Sequence, residues 1–306
     1  MILCAGEALI DMLPRQTVDG EASFQPFPGG AVFNTAIALG RLGAPTGFFT
    51  GLSTDFFGEM LETSLRASGV DASFAARSDR PTTLAFVRLV DGQASYAFHD
   101  ENTAGRMLTP GDLPALDDSI EAMFFGGISL AVEPCAEAYE ALMLREAPLC
   151  ATMIDPNVRP GFIRDAERYR ARIRRMLAAA DLVKLSDEDL VWLMGAGDIA
   201  AMTSEILAMG PAAVFVTEGA KGVTAYHAGD PVFVASERVE VVDTVGAGDT
   251  FNGGVLASLH EQGALTKSGV REMSAETLEA AMSLGVRVAA VTVSRAGANP
   301  PARDEL

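Results

Sequence analysis

Short apolar runs alternate with stretches of helical periodicity along most of this chain. Residues 2–5, 46–51, 122–126, 151–155, 181–185 and 212–217 read as buried strands, each a compact run rich in Phe, Ile, Val and Leu. Between them, helical patterns cover about 30–42, 55–68, 134–146, 166–179, 187–194 and 199–209, with Phe56, Met60, Leu61 and Leu65 spaced for one buried face. Alternation of this kind predicts a parallel sheet with helices on both faces, the α/β class. Two regions break the rhythm. Around 17–27 and 81–98 the period becomes two, with Leu84, Phe86 and Arg88 on one side and Ala85, Val87 and Leu89 on the other. Asp91-Gly92 then predicts a hairpin turn into Ala94–Phe98. Such strands suit a small separate sheet lying over the main one as a lid. A second hairpin is expected over 221–226 and 231–235, and two helices over about 248–261 and 275–290. With no repeat and no long linker, residues 1–306 read as one domain with lid strands inserted at about 12–27 and 80–100.

Composition narrows the class of partner. The chain has 306 residues, 49% of them hydrophobic, which excludes intrinsic disorder and allows a large core. Its formal net charge is −18, a surface that repels nucleic-acid backbones and anionic lipid. Cys4, Cys135 and Cys150 are far apart and form no CxxC pair, so reduced thiols are expected, and three histidines without HExxH argue against a His-based zinc site. The opening MILCAGEALIDML carries Glu7 and Asp11 within its apolar stretch and reads as a first buried strand. No apolar run approaches the roughly 18 residues of a membrane span, so a cytoplasmic protein is expected.

The strongest chemical signal runs from Asp243 to Gly254, DTVGAGDTFNGG, a glycine turn entering a helix with apolar positions Phe251, Val255, Leu256 and Leu259. Gly246 and Gly248 free backbone N–H groups, which with the helix N-terminus form an anion site that needs no cationic side chain. Asp249 at that site would repel an anion unless it takes a proton from a hydroxyl attacking a bound phosphoryl group. A second glycine turn, Pro28-Gly29-Gly30, opens another helix and lets a small ligand approach the backbone. Asn34 one turn later and Asp11 after the first strand suit sugar hydroxyls. Thr217-Glu218-Gly219-Ala220-Lys221-Gly222 and Asp155-Pro156-Asn157-Val158-Arg159 each follow a strand, where open α/β sheets bind ligands. Neither a GxxxxGK[ST] loop nor an HRD/DFG set is present.

These strings are familiar together. DTVGAGDTFNGGVL over 243–256 resembles the C-terminal signature of the ribokinase-like (PfkB) carbohydrate kinases, and PGGAVFNTAIALGRLGAPTGFFTGLSTDFFGEML over 28–61 resembles their N-terminal one. The likeness extends from Gly6 to Ala298, and DPNVRP, VTEGAKGV and FHDENTA (98–104) are most similar to bacterial fructokinases. The resemblance implies a ribokinase-like three-layer α/β/α sandwich with a mostly parallel sheet and a β-sheet lid. It implies Asp249 as catalytic base and Gly246, Ala247 and Gly248 as the anion hole. Asp11, Gly29, Gly30, Asn34, Phe98 and Arg159 would bind sugar, and Lys184, Ser186, Thr217, Gly219 and Gly222 would bind ATP. Asp243 and the Gly297 loop match a monovalent-cation site, so Mg²⁺ and K⁺ are expected with ATP. Two positions depart from the family pattern: Ser186 to Asp189 stand where relatives carry Asn-x-x-Glu, and Pro301 where some carry a serine.

The implied reaction moves the γ-phosphoryl group of ATP to a sugar's primary hydroxyl, giving fructose 6-phosphate from fructose. A 2-keto-3-deoxygluconate kinase and a non-catalytic sugar-binding regulator are the alternatives. A phosphosugar substrate would require more cations near the lid than Arg88 and Arg106. An apolar lid face of Leu84, Phe86 and Tyr96 would pair with a second copy.

Overall fold

A computed structural model describes residues 1–90 and 93–306, with backbone alone over 88–90 and 93–96. The expected Asp91-Gly92 turn therefore lies outside the described residues, as do the side chains of Arg88, Leu89 and Tyr96.

The central sheet has nine strands among the described residues. In spatial order they are Val232–Ala235, Gly222–His227, Ala213–Thr217, Leu182–Ser186, Ala151–Asp155, Ala122–Gly126, Ile2–Ala5, Thr46–Phe49 and Val70–Asp71. Seven run parallel, and the hairpin 222–235 adds two antiparallel strands at one edge. The inner strands are mostly apolar because both faces are covered. In Ile2–Ala5, Ile2 and Cys4 join one core while Leu3 and Ala5 join the other. The first core is completed by helices Ala31–Arg41, Phe56–Ala67, Ala247–Glu261 and Ala275–Val293, and the second by Cys135–Glu146, Ala166–Ala179, Asp187–Met194 and Ile199–Leu207. The result is a three-layer α/β/α sandwich. Side-chain caps start several helices: Asp55 accepts from Gly58 N–H, Asp165 from Arg168 N–H, Asp198 from Ala201 N–H and Ser274 from Thr277 N–H.

Two details differ from the sequence reading. The run 46–51 is not one strand: Thr46–Phe49 belongs to the central sheet, while Gly51–Ser53 pairs with Ala76–Ser78 in a separate two-stranded sheet. Gly51 packs tightly against the backbone here, since a β-carbon on it would lie 2.0 Å from the Ala104 carbonyl oxygen. On the helix Phe56–Ala67, Leu61 and Leu65 are buried, but Phe56 is 67% exposed. It sits at the first turn, stacked edge-on against Phe57 rather than facing the core.

A four-stranded sheet is formed by Ala22–Gly29, Leu9–Gln16, Leu84–Val90 and Gln93–His99, in that order. Ala85 and Val87 are buried, whereas Leu84 and Phe86 are half-buried, with Phe86 edge-on to Phe24. The chain leaves the first central strand directly into this sheet, which carries Asp11 over the carboxyl ends of the parallel strands. Between Ile2–Ala5 and Ala122–Gly126 the strand order reverses direction, the point at which open α/β sheets leave a crevice. Among the described residues no single helix is long and apolar enough to cross a membrane.

Candidate active site

A cavity of about 960 Å³ occupies that crevice. Of the residues singled out in the sequence, Asp11, Gly30, Asn34, Phe98, Arg159, Gly246, Ala247, Gly248 and Asp249 line it. Two helices aim their first turns into it. Helix Ala247–Glu261 starts from Gly246 in the left-handed region (φ 78°), and no side chain caps that turn. The glycine is required there: a β-carbon would lie 2.5 Å from that of Ala298. Helix Ala31–Arg41 starts from Gly30, and the Glu7 carboxylate caps it from another element, Oε1 accepting from Ala31 N–H at 3.0 Å. The other oxygen, Oε2, accepts from Ser129 N–H at 3.2 Å, so Glu7 ties both sides of the switch point together. Its burial raises its pKa. The two helices meet closely because Gly253 has no side chain, since a β-carbon there would lie 2.6 Å from that of Ala38. Thr35 Oγ1 also donates to the Asp249 carbonyl at 2.9 Å.

Asp249 is the third residue of its helix, yet its carboxylate does not cap it. Oδ2 accepts from Asn34 Nδ2 at 2.9 Å and Oδ1 from Asn157 Nδ2 at 3.4 Å. Burial pushes its carboxyl up to about 7, helped by Asp155 and opposed by the Asn34 hydrogen bond and by Lys184. Titration near neutrality is what a general base requires. Asp11 reaches the cavity from the four-stranded sheet, and burial lifts it to about 6. Gly29 makes room for it, since a β-carbon there would lie 2.3 Å from Asp11 Oδ2. Phe98 packs edge-on against Phe162 at 4.3 Å between centroids, closing one side.

Five arginines line the cavity, Arg106, Arg159, Arg164, Arg168 and Arg172, more than the two foreseen near the lid. Most are neutralised locally. Arg106 pairs with Asp100 at 2.9 Å, Arg168 and Arg172 with Glu133 at 3.1 and 2.6 Å, and Arg172 also with Glu140 at 3.2 Å. Arg159 donates to the carbonyls of Asn157 and Val158.

None of the residues expected to bind nucleotide, Lys184, Ser186, Thr217, Gly219 and Gly222, is among those lining the cavity. Ser186 and Thr217 are paired across neighbouring strands at their carboxyl ends. Gly219 (φ 55°) and Gly222 (φ 135°) follow, and a β-carbon on Gly222 would lie 2.2 Å from the Val234 carbonyl oxygen. Its glycine thus serves the hairpin. The Lys184 side chain is buried, and its Nζ donates to Asp155 Oδ2 at 3.0 Å. Asp189 is likewise engaged, Oδ1 accepting from Val158 N–H at 2.9 Å and Oδ2 from Ser186 N–H at 3.3 Å. Asp243 clasps two loops, accepting from Val245 and Gly297 N–H, each at 3.0 Å.

Sequence reasoning left Glu7, Asp155, Asn157 and Asn252 unassigned. Asp155 and Asn157 carried a signal, the strand-end DPN. Glu7 and Asn252 carried none, because their partners are far away in sequence.

The pfkB family carbohydrate kinase model matches residues 1–305. A fructokinase of Rhizobium leguminosarum bv. trifolii is 56% identical over 278 residues, covering 91% of this chain and 85% of that protein. The fructokinase of Xylella fastidiosa with bound ATP superposes with a TM-score of 0.87 at 31% identity, covering 97% of this chain and 93% of the other. A double mutant of the Vibrio cholerae O395 fructokinase, holding fructose, ADP and a potassium ion, has a TM-score of 0.84 at 25% identity, with coverage of 97% and 93%. With its glycine-started helix, its near-neutral carboxylate and these likenesses over almost its full length, the chain belongs to the pfkB family of carbohydrate kinases.

Proposed function

We propose that this protein is an ATP-dependent sugar kinase acting on fructose, with Asp249 as the general base. The observation that carries the reading is the position of Asp249. It is a buried carboxylate at the uncapped N-terminus of helix Ala247–Glu261, held by two side-chain amides and open to the same cavity as Asp11. The substrate's primary hydroxyl gives its proton to Asp249 while its oxygen attacks the γ-phosphorus of ATP. The bond to the β,γ-bridging oxygen breaks, and ADP and fructose 6-phosphate leave. Backbone N–H groups over 246–249 would stabilise charge on the transferring group. Asp11, Gly29, Gly30, Asn34 and Phe98 would hold the sugar, and Arg159 would contact phosphate. Ser186, Thr217, Gly219 and Gly222 would flank the nucleotide.

Three of the five cavity arginines, Arg106, Arg168 and Arg172, are already matched by Asp100, Glu133 and Glu140, which favours a neutral sugar over a phosphosugar. Among the described residues no group of three acidic, His or Cys side chains could hold a metal ion. Mg²⁺ would therefore arrive on the triphosphate, whose charge it neutralises. A single carboxylate, Asp243, suits a monovalent ion such as K⁺, adding to the clasp it already makes. The outer face of the four-stranded sheet, where Phe24 is half-exposed beside Phe86, would meet a second copy of the chain.

The deciding experiment is ADP release with Mg²⁺-ATP across fructose, ribose, 2-keto-3-deoxygluconate, adenosine and fructose 6-phosphate. A kcat/KM led by fructose is expected. Another leading sugar would overturn the substrate, and saturable sugar binding with no ADP release would overturn the kinase.

A further inference from the structure

Beneath the glycine turn lies a buried positive charge that the reaction as described does not use. Lys184 is the third residue of strand Leu182–Ser186, and its side chain is 5% exposed. Its Nζ is 3.0 Å from Asp155 Oδ2 and 3.0 Å from the point where a β-carbon on Gly248 would sit. The ammonium therefore lies directly under the backbone that would hold the transferring phosphoryl group. It is also part of one connected network. Asp155 Oδ2 accepts from Asn252 Nδ2 at 2.8 Å, and Oδ1 accepts from Asn157 N–H at 3.1 Å. Asn157 Nδ2 in turn donates to Asp249 Oδ1 at 3.4 Å.

The charges around Asp249 oppose one another. Asp155, at the end of its strand, and Glu7, after the first strand, disfavour the ionised Asp249, while Lys184 and the Asn34 amide favour it. Asp189, from the helix that follows Ser186, acts on Lys184 and not among the main influences on Asp249. Burial works against the Lys184 charge, but Asp155, Asp189 and Asp249 outweigh it and hold the ammonium above its ordinary value. Lys184 thus stays charged across the working pH range. A buried ion pair adds little net stability, so folding alone does not account for one under a reaction centre.

We propose that Lys184 is a positioning residue for phosphoryl transfer: its ammonium, seated under Gly248 and linked through Asp155 and Asn157 to the Asp249 carboxylate, places positive charge behind the anion-binding turn and beside the base. This rests on the reading of Asp249 as the base. Glycine at 248 then has a second purpose, since only its bare backbone lets the ammonium come this close without displacement.

The test is Lys184→Gln, whose amide can still donate to Asp155 but carries no charge. kcat/KM for fructose is measured from pH 5.5 to 9 alongside the wild type and Asp249→Asn. Lys184 is one of the groups that favour ionised Asp249, so on its removal the acid limb should move to higher pH by about half a unit or more. The plateau should also fall by roughly tenfold as the turn loses its backing charge. A purely structural lysine would lower the melting temperature and leave the limb in place, which would overturn the proposal. If Lys184→Gln does not fold, Asp155→Asn is compared with Lys184→Gln/Asp155→Asn, which buries no unpaired charge. The limb of the double variant should lie above that of the single by the same amount, and coincident limbs would overturn the proposal. Asp249→Asn separates the two readings. If it stays active, the general base falls and Lys184 with it; if it is inactive while the limb is unmoved, Lys184 alone falls.

Discussion

Replacing Asp249 with asparagine should separate activity from stability in opposite directions. The side chain keeps its size, so the cavity stays filled, but it can no longer take a proton. Loss of a general base costs on the order of 10²–10⁴ in kcat. Stability follows from the buried charge. Burial raises the carboxyl from 3.8 to about 7 in the folded protein. A raised folded-state pKa means that the group's contribution is full below about pH 4 and is lost as pH climbs through 7. At 1.36 kcal/mol per unit, the ionised carboxylate costs the fold about 4 kcal/mol at pH 8. Asparagine avoids that cost. Its one carbonyl, however, can accept from Asn34 or from Asn157 but not from both, and an unmet buried donor costs about 1–3 kcal/mol. The balance is a gain of about 1–3 kcal/mol, or roughly 2–5 °C in melting temperature at pH 8. Near pH 4, where the wild-type carboxyl is also neutral, the charge cost disappears and the unmet donor leaves the variant about 1–3 kcal/mol less stable than the wild type. The assays are coupled ADP release and thermal melts at pH 4, 6 and 8. A near-normal kcat would refute the base. A melting temperature that falls equally at all three pH values would refute the electrostatic account, since the loss would then be one of packing.

Four further outcomes follow from the same geometry. In the wild type, kcat/KM for fructose should drop about tenfold per pH unit below 7, as Asp249 protonates, and a flat profile down to pH 5.5 would count against it. Asp11→Ala removes a charge-assisted contact to the sugar and should raise the fructose KM about 10- to 100-fold with a smaller change in kcat; an unchanged KM would move Asp11 out of the site. Gly246→Ala forces φ 78° on a side chain that would lie 2.5 Å from the Ala298 β-carbon, so it should cost at least 10²-fold in kcat while sugar binding measured by calorimetry persists. Light scattering should return a dimer, and Phe24→Glu should return a monomer with unchanged fold.

Much of this site was legible because it is built from local strings. The turns at 28–30 and 243–249 declare their own backbone chemistry, and the apolar runs place them at the carboxyl ends of strands. Alternation in Ile2–Ala5, with side chains sent into two separate cores, is likewise a property of the strand itself. Long-range contacts were not legible. The split of 46–51 between two sheets rests on the pairing of Gly51–Ser53 with Ala76–Ser78 farther along the chain, and Phe56 stays exposed, edge-on to Phe57.

Sequence by itself determined the layered α/β class and the two glycine turns, and it singled out Asp249 as the carboxylate proposed to react. These rest on periodicity, glycine geometry and neighbouring residues, all of which act within a few positions. Tertiary structure alone decided the electrostatics. It placed Glu7 across 24 residues onto Ala31 and across 122 onto Ser129, turned Lys184 inward to Asp155, and matched the cavity arginines with their own acids. A charge has no preferred partner until folding removes the water around it. The same residue can then be a surface cation, a nucleotide contact or the floor of an active site, and burial decides which.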